Sequence, residues 1–129
     1  MERVIEFFLA LTALTLGASH IVQADVWVDT YRRLTHLGQP GAFINGALSL
    51  VTGTFIVSGH NSWRGPGAVL TVFGWLLVTK GVVCFLAPEV ALRSMERSPS
   101  RRRFMIGGLF LMFVGVWAGF CWWAESSVR

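Results

Sequence analysis

Four stretches of the chain, Ile5 to Val22, Gly41 to Ser58, Ala68 to Leu86 and Phe104 to Trp123, run 18 to 20 residues each and carry almost no charge. A helix of that length rises roughly 30 Å, the thickness of a bilayer's hydrocarbon. In lipid an apolar segment has to satisfy its own backbone N–H and C=O groups, and a lone segment does so as a helix. The expected fold class is therefore all-α, a polytopic membrane protein with four transmembrane helices in a single domain over residues 1–129. Composition agrees: 53% of the residues are hydrophobic and only 14% charged, too apolar for an ordinary soluble domain. That balance excludes a disordered tail and argues against a soluble enzyme.

Loop charge predicts the orientation. The first loop holds Arg32 and Arg33, and the third holds Arg93, Arg97, Arg101, Arg102 and Arg103, while the opposite side has Arg3, Arg64 and Arg129. By the positive-inside rule, loops one and three face the cytoplasm and both termini lie outside. The formal net charge of +4 then reflects topology and contact with anionic lipid, and no nucleic acid is expected as a partner. Arg3 ahead of an apolar run ending in Gly17-Ala18-Ser19 invites comparison with a signal peptide, but Glu2 and Glu6 spoil its basic start, so the segment reads as a retained span.

The chain repeats itself. Thr15-Leu16-Gly17 followed by His20 corresponds to Thr79-Lys80-Gly81 followed by Cys84, 64 positions later; Asn45-Gly46 with Gly53 corresponds to Gly107-Gly108 with Gly115, 62 positions later. Two tandem helical hairpins are expected, one repeat unit over about 1–62 and the second over about 66–124, sharing one orientation in the membrane. Small residues recur at seven-residue spacing in every span, as Ala10 and Gly17, Gly46 and Gly53, Gly74 and Gly81, Gly108 and Gly115. Such pairs predict close helix packing in a compact bundle; Gly115 with Gly119 adds a further small pair that suits an inner contact or a docking face. Asp25 to Leu34, and the segment opening at Pro88, read as short amphipathic helices lying in the cytoplasmic interface.

At these residues the second half resembles the YjeT-like group of small two-span bacterial inner-membrane proteins: Gly81 late in a span, Pro88 opening the connector, then Arg102-Arg103-Phe104 ahead of Gly107-Gly108. The first half is similar more faintly, through Gly17 and Trp27, and the chain departs from the pattern at Lys80 and at Ala24, where the proline is missing. The resemblance implies a hairpin architecture and a multi-pass place in the bacterial inner membrane, and brings no catalytic or binding residues with it.

Lys80 is the one ionisable side chain well inside a span. A cation at mid-helix costs about 2.5 to 3.5 kcal/mol on insertion scales. It lies roughly 9 Å from the cytoplasmic end at 1.5 Å per residue, so three readings stay open: snorkelling, a hydrogen bond to Asn45 or Ser49, or a ligand site with His20. The histidines His20, His36 and His60 fall at different depths and make no metal site, and no cofactor is called for. Cys84 and Cys121 fall at opposite ends of their spans, too far apart for a disulfide. The polar segment with His60, Asn61 and Trp63 suits a tight outer turn or a recognition loop, and Trp117, Trp122 and Trp123 form an outer belt facing lipid or a partner.

No nucleophile–base pair, phosphate-cradling loop or paired carboxylates appear, so no enzyme is expected. The leading expectation is a non-catalytic accessory, scaffold or assembly subunit of a larger inner-membrane complex, respiratory or photosynthetic complexes being natural examples. Its partners would be lipids and a membrane protein or further copies of itself. The alternative is a small oligomeric transporter or channel with Lys80 in a polar pathway; a third is pigment or cofactor binding through His20.

Overall fold

A computed structural model describes residues 1–97 and 99–128. Among these, the chain forms α1 (Glu2–Val22), α2 (Ala24–His36), α3 (Gln39–Gly59), α4 (Ala68–Leu86), α5 (Pro88–Arg97) and α6 (Arg101–Ser127), with a 3₁₀ turn at Gly65–Gly67 and no strand. α1, α3, α4 and α6 are long and apolar enough to cross a membrane, so this is an all-helical, multi-pass membrane protein. The helices outrun the expected spans mainly at α6. There the Ser100 hydroxyl accepts from the Arg103 backbone N–H at 3.2 Å, and this cap holds the three arginines in the first helical turn, ahead of the apolar run.

Local chemistry sets the breaks. Gly38 turns the chain between α2 and α3 at φ 70°, a left-handed conformation that disfavours a Cβ, and Pro40 follows in the first turn of α3. Gly65, at φ 65°, does the same before α4, and Pro88 opens α5. α2 and α5 are the two expected amphipathic connectors. They lie together across one end of the bundle, where α2 buries Ala24 and Val28, and α5 buries Ala91 and Met95. The other end holds both termini and the 60–67 loop: Arg3 Nη2 donates to Ser126 Oγ at 2.7 Å, and Trp117 Nε1 donates to the Pro66 carbonyl at 2.8 Å.

The intimate pairs are α1 with α6 and α3 with α4, so the closest packing runs between the two sequence halves. Lipid tails are as apolar as leucine, so helices in a bilayer are held mainly by dispersion, and dispersion rewards close approach. Glycine supplies that approach. A Cβ at Gly17 would stand 2.7 Å from the Gly108 carbonyl oxygen and 2.8 Å from the Met112 backbone N; one at Gly81 would stand 2.6 Å from Leu50 Cβ. Gly46 packs on Cys84 and Gly81, Gly53 on Val78 and Gly74, Gly74 on Ile56, Gly108 on Gly17 and His20, and Gly115 on Leu14. All these contacts are internal. Gly119 faces Ala10 at 3.8 Å, so of its two expected roles the structure favours the inner contact.

All four spans meet in the half of the bundle nearer the termini, around Ile5, Leu9, Ile56, Leu70 and Val114. Cys121 belongs to that core, whereas Cys84 lies in a second cluster with Ala42, Ala91 and Met95 at the connector end; both cysteines are buried and free. The two tight pairs meet each other sparingly, α1 against α3 and, most loosely, α4 against α6. Phe73 and Phe110 meet there with ring centroids 6.0 Å apart, and a crevice of about 390 Å³ runs between Val69, Val72 and Leu76 on one wall and Phe110, Phe113 and Val114 on the other.

Candidate functional site

Polar groups gather beside the crevice toward the connector end. On α6, Arg103, Gly107, Phe110 and Val114 follow one another at i, i+4, i+7 and i+11, a single helical stripe; on α4, Phe73, Leu76 and Lys80 do the same at i, i+3 and i+7. A second cavity of about 360 Å³ continues past Phe110 and is lined by Gly107, Arg103, Phe104, His20 and Tyr31. A Cβ on Gly107 would touch nothing within 4 Å, unlike one on the neighbouring Gly108. The two cavities share Phe110: the one between α4 and α6 is apolar, and the one between α6, α1 and α2 carries the polar groups.

Lys80 donates from Nζ to Asn45 Oδ1 at 3.2 Å, one of the contacts expected from the sequence. Asn45 is buried on α3 and Lys80 is exposed as a whole residue, and their part-buried hydrogen bond joins α3 to α4. Tyr31, within the expected amphipathic segment Asp25 to Leu34, is the member that sequence reasoning did not single out. It packs against the Ala42–Cys84–Met95 cluster, and its ring meets Phe104 edge-on at 5.5 Å. Burial raises the Tyr31 hydroxyl pKa above the ordinary value of 10.0; the nearby Cys84 adds to the shift, and a hydrogen bond to the Asn45 side chain opposes it.

His20 does not join Lys80 directly. Its ring stacks on Trp27 at 4.1 Å and lies 5.7 Å from Phe104, and Nδ1 bonds the Leu16 carbonyl at 2.7 Å. Trp27 Nε1 in turn donates to Ser19 Oγ at 2.9 Å, which ties α2 back onto α1. Nor does His20 face Cys84, its repeat counterpart, which packs against Gly46. Phe104 touches both His20 and Tyr31, so a chain of side chains runs from α1 through α6 and α2 to Asn45 and Lys80. Arg103 donates from Nη1 to the Arg97 carbonyl at 2.7 Å, and Arg101 meets Asp25 at 3.3 Å in an exposed pair of little energetic weight.

The outer residues separate into buried and exposed members. His60 is 2% exposed and its Nε2 bonds the Gly67 carbonyl at 3.1 Å, while Thr71 Oγ1 donates to the Ser62 carbonyl at 2.9 Å; together they close a tight turn. Asn61 and Trp63 project outward. Trp117 stacks against Phe113 and holds Pro66, Trp122 carries the Arg3 guanidinium 5.5 Å above its ring, and Trp123 is exposed. Among the described residues, no group of three or more His, Cys, Asp or Glu side chains is arranged to hold a metal ion. No family model, curated protein or solved structure matches the chain.

Proposed function

We propose that this chain is a non-catalytic accessory or assembly subunit of a larger bacterial inner-membrane complex, and that it seats a partner's transmembrane helix in the α4–α6 crevice. The crevice itself carries the reading. Ten glycines stand in close contact with the protein's own atoms, whereas Gly107 meets none and lines the cavity that adjoins the crevice at Phe110, where a small residue lets another backbone come close. Aromatic side chains border the same face of α6 at Phe110, Phe113 and Trp117. The connector end is read as cytoplasmic on the strength of its arginines, consistent with the YjeT-like resemblance.

The bundle is also read as two copies of one helix–connector–helix unit related by an axis along the membrane normal. Matching contacts support this: Gly108 meets Gly17, His20 and Ile21, and Gly46 meets Gly81, Cys84 and Phe85, the same positions 64 residues on. Gly115 meets Leu14 as Gly53 meets Val78. Lys80 and Asn45 have Leu16 and Gly107 as their counterparts, so the polar pair belongs to one half only.

Photo-crosslinking in native membranes tests the assignment. A diazirine side chain at Phe110 or Leu76 is expected to trap a discrete membrane subunit, while the same group at Leu11 or Leu48, on the opposite outward faces, gives lipid adducts. Equal trapping at all four positions counts against the crevice. The Lys80–Asn45–Tyr31 chain favours a second reading, an oligomeric transporter with Lys80 in a polar pathway. Lys80→Met separates the two: a carrier loses flux, and a subunit keeps assembling. Under the third reading, a cofactor on His20, the purified chain absorbs visible light.

A further inference from the structure

Three arginines share one concavity at the connector end. A cavity of about 480 Å³ there is lined by Val90, Arg93, Ser94 and Arg97 of α5 and by Arg103 of α6. The α5 members recur at i, i+3, i+4 and i+7, a single stripe of the helix. Ala91 and Met95, on another face, are buried, which fixes α5 against the bundle and leaves this stripe exposed. Arg103 is held beside it: Nη1 donates to the Arg97 carbonyl at 2.7 Å, and the Ser100 cap sets the helical turn to which Arg103 belongs.

Guanidiniums gathered in this way repel one another unless an anion lies among them. Among the described residues no carboxylate lines this cavity. Glu89 and Glu96 lie off the stripe, and none of the three arginines has an ion-pair partner among the described residues, whereas Arg33 pairs with Asp29 and Arg101 with Asp25. Arginine stays charged at any ordinary pH, so the excess of positive charge is permanent. Planar guanidiniums match the paired oxygens of a phosphate, and several together favour a phosphate carrying two negative charges over one carrying a single charge. The place of the cavity selects the kind of phosphate. Leu86 ends the membrane-spanning α4, Val90 is in the first turn of α5, and Arg103 immediately precedes the apolar run that opens at Phe104. Leu86 and Val90 are 82% and 58% exposed. The arginines thus stand at the level where charge gives way to apolar surface, the depth of lipid headgroups, with an apolar side chain on the cavity wall.

We propose that this cavity binds the phosphomonoester headgroup of an anionic phospholipid, with Arg93, Arg97 and Arg103 on the phosphate and the acyl chains leaving past Val90. This is a defined site, beyond the diffuse attraction that basic loops have for anionic lipid, and it stands independently of the partner reading. Native mass spectrometry of the full chain released from non-ionic detergent, at fixed ionic strength, compares three ligands. Dioleoylphosphatidic acid carries the monoester and the chains, dioleoylphosphatidylglycerol the same chains on a singly charged diester, and glycerol 3-phosphate the monoester without chains. Phosphatidic acid is expected to saturate at a single lipid per chain and to bind at least about tenfold more tightly than either of the others. Arg93→Gln/Arg97→Gln is expected to lose about tenfold in that affinity, while Arg32→Gln/Arg102→Gln, which removes the same charge from arginines outside the cavity, keeps it. Absence of saturable binding, equal affinity for the two lipids, equal affinity for glycerol 3-phosphate, or an equal loss in the two double variants would overturn the proposal. The three-ligand comparison uses the unmodified chain, so it decides the matter even where a variant fails to fold.

Discussion

Replacing Gly17 by alanine adds one methyl group where the structure has no room for it. The new Cβ would lie 2.7 Å from the Gly108 carbonyl oxygen, 2.7 Å from Met112 Cγ and 2.8 Å from the Met112 backbone N. Two of those atoms are backbone and cannot swing aside, so α1 and α6 must part by about 0.7 Å, a gap that forfeits a quarter to a half of each affected dispersion contact. Overpacking of this kind costs about 1–3 kcal/mol. Against it stands the gain in helix propensity from Gly to Ala, at most about 1 kcal/mol. Gly107→Ala isolates the packing cost, because it makes the same exchange on the same helix pair with nothing within 4 Å of the new methyl. The propensity gain cancels between the two variants, leaving Gly17→Ala less stable than Gly107→Ala by about 2 kcal/mol, near thirtyfold in the folding equilibrium. Equilibrium unfolding in mixed micelles by increasing dodecyl sulfate, followed by circular dichroism, measures the difference. Coincident unfolding curves would show that α1 and α6 do not approach as closely as described.

Tyr31 is the chain's one tyrosine, so tyrosinate absorbance reports it alone; its midpoint is expected above 10 and higher still in Asn45→Ala, which removes the opposing hydrogen bond. Because the folded state holds this proton more tightly than the unfolded chain, its contribution to stability is complete below about pH 10 and is lost as pH rises through the folded value, which unfolding curves between pH 9 and 11 would reveal. Trp117→Phe removes the hydrogen bond to the Pro66 carbonyl and is expected to cost about 1 kcal/mol in the same micelle assay; no loss would mean that the 60–67 loop is held by other contacts. Gly38→Ala forces a Cβ into the left-handed region at φ 70° and is expected to cost about 1–2 kcal/mol although nothing lies within 4 Å, whereas an unchanged midpoint would place Gly38 in another conformation.

The spans and connectors were legible because lipid imposes a simple demand on sequence, a long uncharged helix broken where Gly and Pro turn the chain. Seven-residue glycine spacing likewise pointed to faces that meet. Which helices meet was not legible, since a small-residue face fits any neighbour, and only the structure pairs Gly17 with Gly108 and Gly81 with Leu50. Lys80 and Asn45 were found because an ammonium in a span has to find an acceptor. Tyr31 was passed over because an amphipathic tyrosine at a helix face reads as an interfacial anchor, and its reach toward Asn45 depends on how α2 folds back. Glu6 carried a signal that went unused: it lies seven and eleven residues before Ala13 and Gly17, on the inward stripe of α1. The burial of His60 depends on a turn geometry set by Gly65 and Gly67, beyond what residue types alone reveal.

The central claim is that the open crevice between α4 and α6 seats a partner helix. Gly107→Leu tests it most directly, because its side chain enters the cavity that adjoins the crevice at Phe110 without meeting the bundle's own atoms at Cβ. Tagged wild-type chain and the variant would be extracted gently from native membranes, checked for folding by circular dichroism, and their co-purifying subunits quantified by mass spectrometry. The expected result is a stoichiometric membrane-protein partner on the wild type that is absent from a folded Gly107→Leu. A partner retained by the variant, or a wild type that purifies only as copies of itself, would contradict the claim.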